Sequence, residues 1–501
     1  MKPKIPDFPD WFGPMLVKEL RQGLKTRGFV FSFIGLQTVL VLVLVYHVLL
    51  YSRAPKGFDA SGLGAIFWFL LGALLVFVTP LRAFNELAAE RKANTLELIF
   101  MSGLSAWRIA FGKWVSLLFQ ALLFLLAVLP YAILRYYFGA VDLAQDLHGM
   151  LMVMLLCAVL SAVALAISGM PLWVRIITMI GVVICFMSSL GLFQMLIFSP
   201  YGSSRASSML SWTDETNWWL VGWDIVLVCL IALQVAAATV APPAENHAGA
   251  QRFLTLLLWL PLPVMGWQSA SESALLAQVF LFVVIAGVLV WYQLSVKPSE
   301  MVSHCRPFRQ WRAAFGLPFQ PGWPSAVVFL LIVVGLYAFT ISGAIAYGTK
   351  IHDAEDRAWF HAAFAMPAAA LLCSTFVWIL FRQKARFPLL FQTLFLILCG
   401  VAVALIVAGK PPTTHLGEYY IFGFLPPSAV WAMMDQSNDY AYSAVGVVSK
   451  HRVLVATSWS TIAYLALASY ALLLIFCSRK YWRHYFRTCF AAPREPIPSE
   501  P

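Results

Sequence analysis

The chain has 501 residues, of which 61% are hydrophobic and 11% charged, against roughly 25% charged residues in an ordinary soluble domain. No soluble fold covers that much apolar side chain, whereas a bilayer accepts it: about 20 apolar residues in a helix cross the hydrocarbon core with every backbone hydrogen bond satisfied internally. The net charge of +11 would suit either nucleic acid or the cytoplasmic face of a membrane, and its distribution along the chain decides between them.

The N-terminus, MKPKIPDFPDWFGP, has no early apolar stretch, as expected of a chain without a cleavable signal peptide. From Pro14 to Arg27 the sequence PMLVKELRQGLKTR separates two faces. Leu16, Leu20 and Leu24 recur at four-residue steps, while Lys18, Arg21 and Lys25 form a basic face. Proline suits the first turn of a helix, and the pattern predicts an interfacial helix with its leucines among acyl chains and its cations near anionic headgroups.

Apolar runs predict spans at about 29–51, 63–81, 114–137, 149–170, 172–198 and 218–241, then at about 253–268, 273–296, 324–348, 359–381, 387–409 and 453–477. The weakest is 253–268, which is short, carries Pro261 and Pro263, and also fits a re-entrant segment. With the N-terminus in the cytoplasm, twenty-five Lys and Arg fall inside and nine outside. That asymmetry supports an all-α polytopic bundle of about 12 spans with both termini cytoplasmic, and it explains the net charge without nucleic acid. The expected place is the cell membrane, the inner membrane in a bacterium.

The layout divides into six plus six, 1–252 and 253–501. Each half has a long cytoplasmic segment after its second span, and the polar stretch APPAENHAGAQR at 241–252 reads as a cytoplasmic linker between them. A parallel repeat of this kind is a known route to transporter folds; no clear residue-level match between the halves accompanies it.

Charge is concentrated in one stretch, NELAAERKANTLELIFMSGLSAWRIAFGKW, from Asn85 to Trp114. Glu86, Glu90, Arg91, Lys92 and Glu97 gather there. Asn94 can cap a short helix with Glu97 at its third position, Ser102-Gly103 makes a break, and Ser105 can cap a following helix that takes Trp107, Arg108 and Lys113 into the membrane. The product is a short charged helix at the cytoplasmic surface between two spans.

Over residues 14–250 the chain resembles the membrane subunits of ABC exporters of the type-2 permease family. In that family a helix like KELRQGLKTR precedes the first span, and an E-R-x-x-(G)-T-L-E-L-L segment leads through a small-residue break to G-K at the third span. The matching residues are Glu90, Arg91, Thr95, Leu96, Glu97, Leu98, Gly112 and Lys113. Asn94 stands where glycine is usual, and Gly103-Leu104 where a proline is common. The resemblance implies that 86–113 is a coupling segment, Glu86 and Arg108 included, seated in a groove of a separate ABC ATPase. It also implies that reversing charge at Glu90 and Glu97 removes coupling without loss of folding. No G-x-x-x-x-G-K-[ST] loop occurs in the chain, since Gly112-Lys113 is followed by Trp114. ATP would therefore be hydrolysed by the partner, with no cofactor bound by this chain.

Arg306, Arg309 and Arg312 occupy the corresponding place in the second half, where a second ATPase contact or simple positive-inside anchoring is expected. If the halves repeat, one chain forms both membrane halves. Otherwise two chains pair through 1–250, as a homodimer or with a second permease. HDAEDRAWFH, from His352 to His361, has no enforced ligand spacing, so no metal site is expected. The main rival reading is an ion-coupled carrier with twelve helices. Such carriers need ionisable residues at mid-membrane, and Asp224 is the one acid clearly inside a predicted span. A membrane-embedded enzyme is disfavoured by the lack of H-E-x-x-H or G-x-S-x-G.

Overall fold

The computed structural model describes residues 14–53, 67–68, 70–92, 104–137, 143–180, 218–242, 245–263, 272–298, 312–346, 354–381, 388–395, 397 and 449–490. Among the described residues the secondary structure is helical throughout, with no strand. Among the described residues six helices are long and apolar enough to cross a membrane: Arg27–Tyr46, Leu70–Glu90, Ala106–Leu134, Asp146–Ser168, Trp219–Val240 and Trp323–Gly343. Shorter apolar helices, Gln278–Leu294 and Pro367–Leu380, fall within two further predicted spans. The predicted runs at 172–198 and 387–409 lie largely outside the described residues. The protein is thus a multi-pass membrane protein, helical in its described residues.

The chain divides into two units, Met1–Glu245 and Asn246–Pro501. The first contains α1 (Pro14–Leu24), α2 (Arg27–Arg53), α3 (Thr79–Lys92), α4 (Ala106–Tyr137), α5 (Leu143–Ser168) and α6 (Trp218–Val240). A π-helical stretch, Ala73–Val78, leads directly into α3. Its cause is local. Pro80 has no N–H to offer the helix, and the ladder widens just before it, with the Thr79 N–H donating five residues back to the Leu74 carbonyl. The Thr79 hydroxyl adds a bond to the same carbonyl at 3.3 Å.

The second span is displaced from its predicted place. The helix ends at Lys92 rather than near 81 because Asn85, Glu86 and Glu90 continue its last turns. Glu86 and Glu90 are therefore the C-terminal end of a membrane helix and not part of a separate short one.

Within the first unit α3 packs on α4 and α5, α4 on α5 and α6, and α5 on α6, with α2 against α4. The α4–α5–α6 contact combines Leu165 and Leu233 with small residues, Ala106, Ala110, Ala162, Ala166, Ala232, Ala236 and Ala237, which let helix backbones approach where apolar burial gives no preference over lipid. Helix α2 holds on through Phe29, Leu36 and Leu40, packed with Phe124 and Val128 of α4. A polar tie joins it: the Tyr131 hydroxyl donates to Gln37 Oε1 at 2.8 Å, and Gln37 Nε2 donates to the Ala127 carbonyl at 3.3 Å.

The second unit contains α7 (Ala248–Trp259), α8 (Glu272–Leu294), α9 (Trp323–Ala346), α10 (Ala354–Leu380), α11 (Ser449–Cys477) and α12 (Arg479–Phe490). Here α8 packs on α9 and α10, α9 on α10 and α11, and α10 on α11, with α7 against α8 and α9. The set of pairings among α8, α9, α10 and α11 is the one found among α3, α4, α5 and α6, in the same chain order. Neighbouring helices pack together in almost any bundle. The informative pairs are those that skip a helix, and both units have both of them.

The stretch 241–252, expected to be a linker, behaves otherwise. Asn246 Nδ2 donates to the Phe319 carbonyl at 3.1 Å, and Arg252, completely buried, organises its surroundings. Its Nε donates to Gln293 Oε1 of α8 at 2.5 Å, and one terminal nitrogen donates to the Pro318 carbonyl at 2.6 Å, the Gln320 carbonyl at 3.0 Å and Ser325 Oγ of α9 at 2.5 Å. The guanidinium also lies 5.5 Å from the centroid of the Phe329 ring. The residues just before Arg252 thus belong with the second unit, and the boundary falls ahead of them. Gly322 makes the return into α9 with φ of +106°, a conformation open to glycine and strained for other residues. A Cβ there would lie 2.6 Å from the Cα of Pro298.

Replacing Arg252 with leucine strips a buried amide, a hydroxyl and two carbonyls of their donor. The expected loss is about 3 kcal/mol or more, seen as a lower unfolding temperature of the detergent-solubilised chain.

Candidate functional site

Three elements of the first unit meet at the start of α4. Helix α1 lies along α4, and Gly23 permits the approach, since a Cβ there would collide with the side-chain amide of Gln120. Leu24 of α1 packs against the cluster that includes Phe29 and Phe124, so at this end the apolar face of the predicted interfacial helix meets protein. Lys18, Arg21 and Lys25 are exposed, as a basic outer face requires.

At the junction the side chain of Lys113 is 3% exposed, and its ammonium is surrounded by carboxylates. Glu19 of α1 lies at 3.3 Å, Glu86 of α3 at 3.4 Å and Glu90 of α3 at 3.0 Å. An ammonium carries three donors, and three acids from two other helices receive them. Glu86 and Glu90 share a face because they are four residues apart on α3. Glu19 and Glu90 are nearly buried, while Glu86 stands at the rim. One helical turn before Glu86, Arg82 donates to the Thr26 hydroxyl at 3.2 Å and sits 5.8 Å from the centroid of the Phe29 ring.

A cleft of about 380 Å³ opens beside the cluster, lined by Lys18, Gln22, Thr26, Arg82 and Gln120 together with the four charged residues. Three carboxylates there face three cations, Lys18, Arg82 and Lys113, so the cleft is electrically balanced. On the far side of α3, Ser168 at the end of α5 accepts from the Leu87 N–H at 2.9 Å, and Arg175 donates to Asn85 Oδ1 at 2.6 Å.

Of the residues expected to couple to a partner, Glu86, Glu90 and Lys113 are thus brought together. Arg108 is exposed on the first turn of α4, which begins immediately after Ser105. Arg91 lies in the last turn of α3; its side chain, and Thr95, Glu97, Arg306 and Arg309 entirely, lie outside the described residues. Arg312 is exposed beside the short helix Ala313–Gly316. Sequence reasoning missed Glu19. Glu19 is the single acid in an otherwise basic amphipathic helix, which sets it apart without naming its partner. The pairing also changes the expected effect of charge reversal at Glu90. A lysine there would face Lys113 in a nearly buried site and disturb the fold as well as any coupling.

Among the described residues no group of three His, Cys, Asp or Glu side chains is placed to hold a metal ion. Neither family models, curated proteins nor solved structures give a match to this chain.

Removing one member of a buried ion pair typically costs about 3–5 kcal/mol, since the remaining charge is left unanswered. Lys113→Met, which removes the cation shared by the nearly buried Glu19 and Glu90, is expected to lose stability in that range. Arg108→Ala, on the exposed face, is expected to change it by less than about 0.5 kcal/mol. Thermal unfolding of the two purified variants side by side checks the contrast.

Proposed function

We propose that this chain is the membrane-spanning permease subunit of an ATP-driven ABC exporter, coupled to a separate ATPase through residues 86–113. The observation that carries this reading is the junction at Lys113. It binds the end of α3 to the start of α4 and to α1, the two spans on either side of the 93–103 segment and the helix that precedes the first span. A push on the connecting segment is then passed to both spans and to α1 together, which is what rigid-body transmission of an ATPase closure requires. The motif residues Glu90, Arg91, Thr95, Leu96, Glu97, Gly112 and Lys113 support the same reading.

In this reading the 86–113 segment and both termini face the cytoplasm of a cell membrane, and ATP is bound and hydrolysed by the partner. The transported compound is hydrophobic or amphipathic, in keeping with the apolar spans. The repeated helix pairing in α3–α6 and α8–α11 favours one chain supplying both membrane halves over a homodimer or a pairing with a second permease. The position of the charges speaks against an ion-coupled carrier. Glu86 and Glu90 lie in the last turns of their span and Lys113 two turns from the start of its own, whereas a coupling-ion site sits near the bilayer midplane.

Affinity purification of the tagged chain is expected to bring down an ABC ATPase, with one copy of this chain per complex by mass. Transport by the complex is expected to persist when a protonophore is added at constant ATP. A chain that purifies without an ATPase, and whose transport collapses with the proton gradient, is a carrier instead.

A further inference from the structure

Helix α12, Arg479–Phe490 (RKYWRHYFRTCF), follows the last long apolar helix after a bend of 62°. Its twelve residues include Arg479, Lys480, Arg483 and Arg487 and no acid. So many cations are not carried to hydrocarbon depth. With α11 along the membrane normal, a helix turned 62° from it lies closer to the membrane plane than to that normal.

Its residues sort into stripes at four-residue steps, each with a different environment. Tyr481, Tyr485 and Cys489 are buried against the protein. Tyr485 donates its hydroxyl proton to the Ala313 carbonyl at 2.9 Å, and Ala313, Tyr485 and Cys489 form one cluster with Leu317 and Trp482 packed on it. The next stripe is aromatic: Trp482, half-buried, then Phe486 and Phe490, which are 37% and 62% exposed and stack at 6.4 Å. Beyond it lie Arg479, Arg483 and Arg487, all exposed, and then exposed Lys480 and His484. Among the described residues none of the four cations pairs with a carboxylate; Arg479 instead covers the Phe476 ring, 4.8 Å from its centroid. One face is bolted to the protein, the adjacent face presents bare aromatic rings, and the face beside that presents a row of arginines.

We propose that α12 binds anionic phospholipid: lipid phosphates seat on the Arg479–Arg483–Arg487 row while Phe486 and Phe490 enter the acyl boundary beside them. Adjacent aromatic and cationic stripes match the two layers of a lipid leaflet, and a planar guanidinium presents paired donors to phosphate oxygens. The order of the stripes matters. The aromatic stripe lies between the protein-bound face and the arginines, so rings and cations meet the same leaflet while Tyr485 holds the helix to the 313–319 segment. That segment supplies the Pro318 carbonyl to Arg252, so lipid bound on α12 braces the second unit and raises its stability.

The test uses the full-length chain in neutral detergent, with phosphatidylglycerol and phosphatidylcholine titrated separately. Retained lipid is counted by native mass spectrometry, and unfolding temperature is followed in parallel. Each basic residue near an anionic surface contributes about 1 kcal/mol, so the triple change R479Q/R483Q/R487Q is expected to weaken phosphatidylglycerol retention by a factor on the order of 100. The stabilisation by that lipid should disappear with it. The lysine variant R479K/R483K/R487K keeps most of the effect, and high salt reduces it in the unaltered chain. Equal retention of the two lipids by the unaltered chain overturns the proposal. So does undiminished phosphatidylglycerol retention by a folded glutamine variant, which would leave the arginine row to an acidic protein surface.

Discussion

Burying the Lys113 ammonium between α1, α3 and α4 is the step on which the first unit turns. Taking that charge out of water costs several kcal/mol unless charges and hydrogen bonds replace its hydration, and they can do so only if three separate pieces of chain arrive together. Glu19 must come from a helix that precedes the first span, and Glu86 and Glu90 from the last turns of the second. The requirement explains other features of the neighbourhood. Gly23 lets α1 settle against Gln120, and α3 continues in helix well past its apolar section so that both its carboxylates reach the same point.

The second unit solves the same problem with different chemistry. Arg252 stands at the start of α7 and holds the end of α8 through Gln293, the start of α9 through Ser325, and the approach to α9 through two carbonyls. In both units a buried cation therefore joins the end of the first helix of the matching set to the beginning of the second, with a helix from before the set as the other party. The cation has changed sides, from the third-span helix in one unit to the leading helix in the other, and the acceptors have changed from carboxylates to neutral groups. The helix pairings agree while the residues that make these junctions do not.

Legibility followed the kind of interaction. The spans at α2, α4, α5, α6 and α9 were readable because long apolar runs have one physical outcome in a bilayer. The charged cluster was readable as a place, since Glu86, Glu90 and Lys113 stand out in a chain poor in charge, but not as a contact: nothing local says that Glu19, 94 residues from Lys113, completes it. The end of α3 was misread because apolarity marks where a helix leaves the hydrocarbon and not where the helix stops. Arg252 was misread for the converse reason. In a polar stretch an arginine looks solvated, and its burial depends on carbonyls and a glutamine that are far away in sequence. Helix α12 was counted only as positive charge, although its stripes are plain once the four-residue step is applied.

The two junctions differ in how they answer displacement. Around Lys113 three carboxylates share one ammonium, and Coulomb attraction falls slowly with distance, so the ammonium can shift its weight from one acid to another while staying paired. The rim position of Glu86 leaves the cluster open to an approaching charge. Around Arg252 the contacts are directional hydrogen bonds from a planar group to fixed acceptors, which weaken steeply with angle, so small displacements there are resisted. In the coupling reading this difference divides the labour between the halves. The α3–α4 junction yields and transmits when its connecting segment is pushed, and the α8–α9 junction, held by neutral acceptors and braced by α12 through Ala313, serves as the part that does not move.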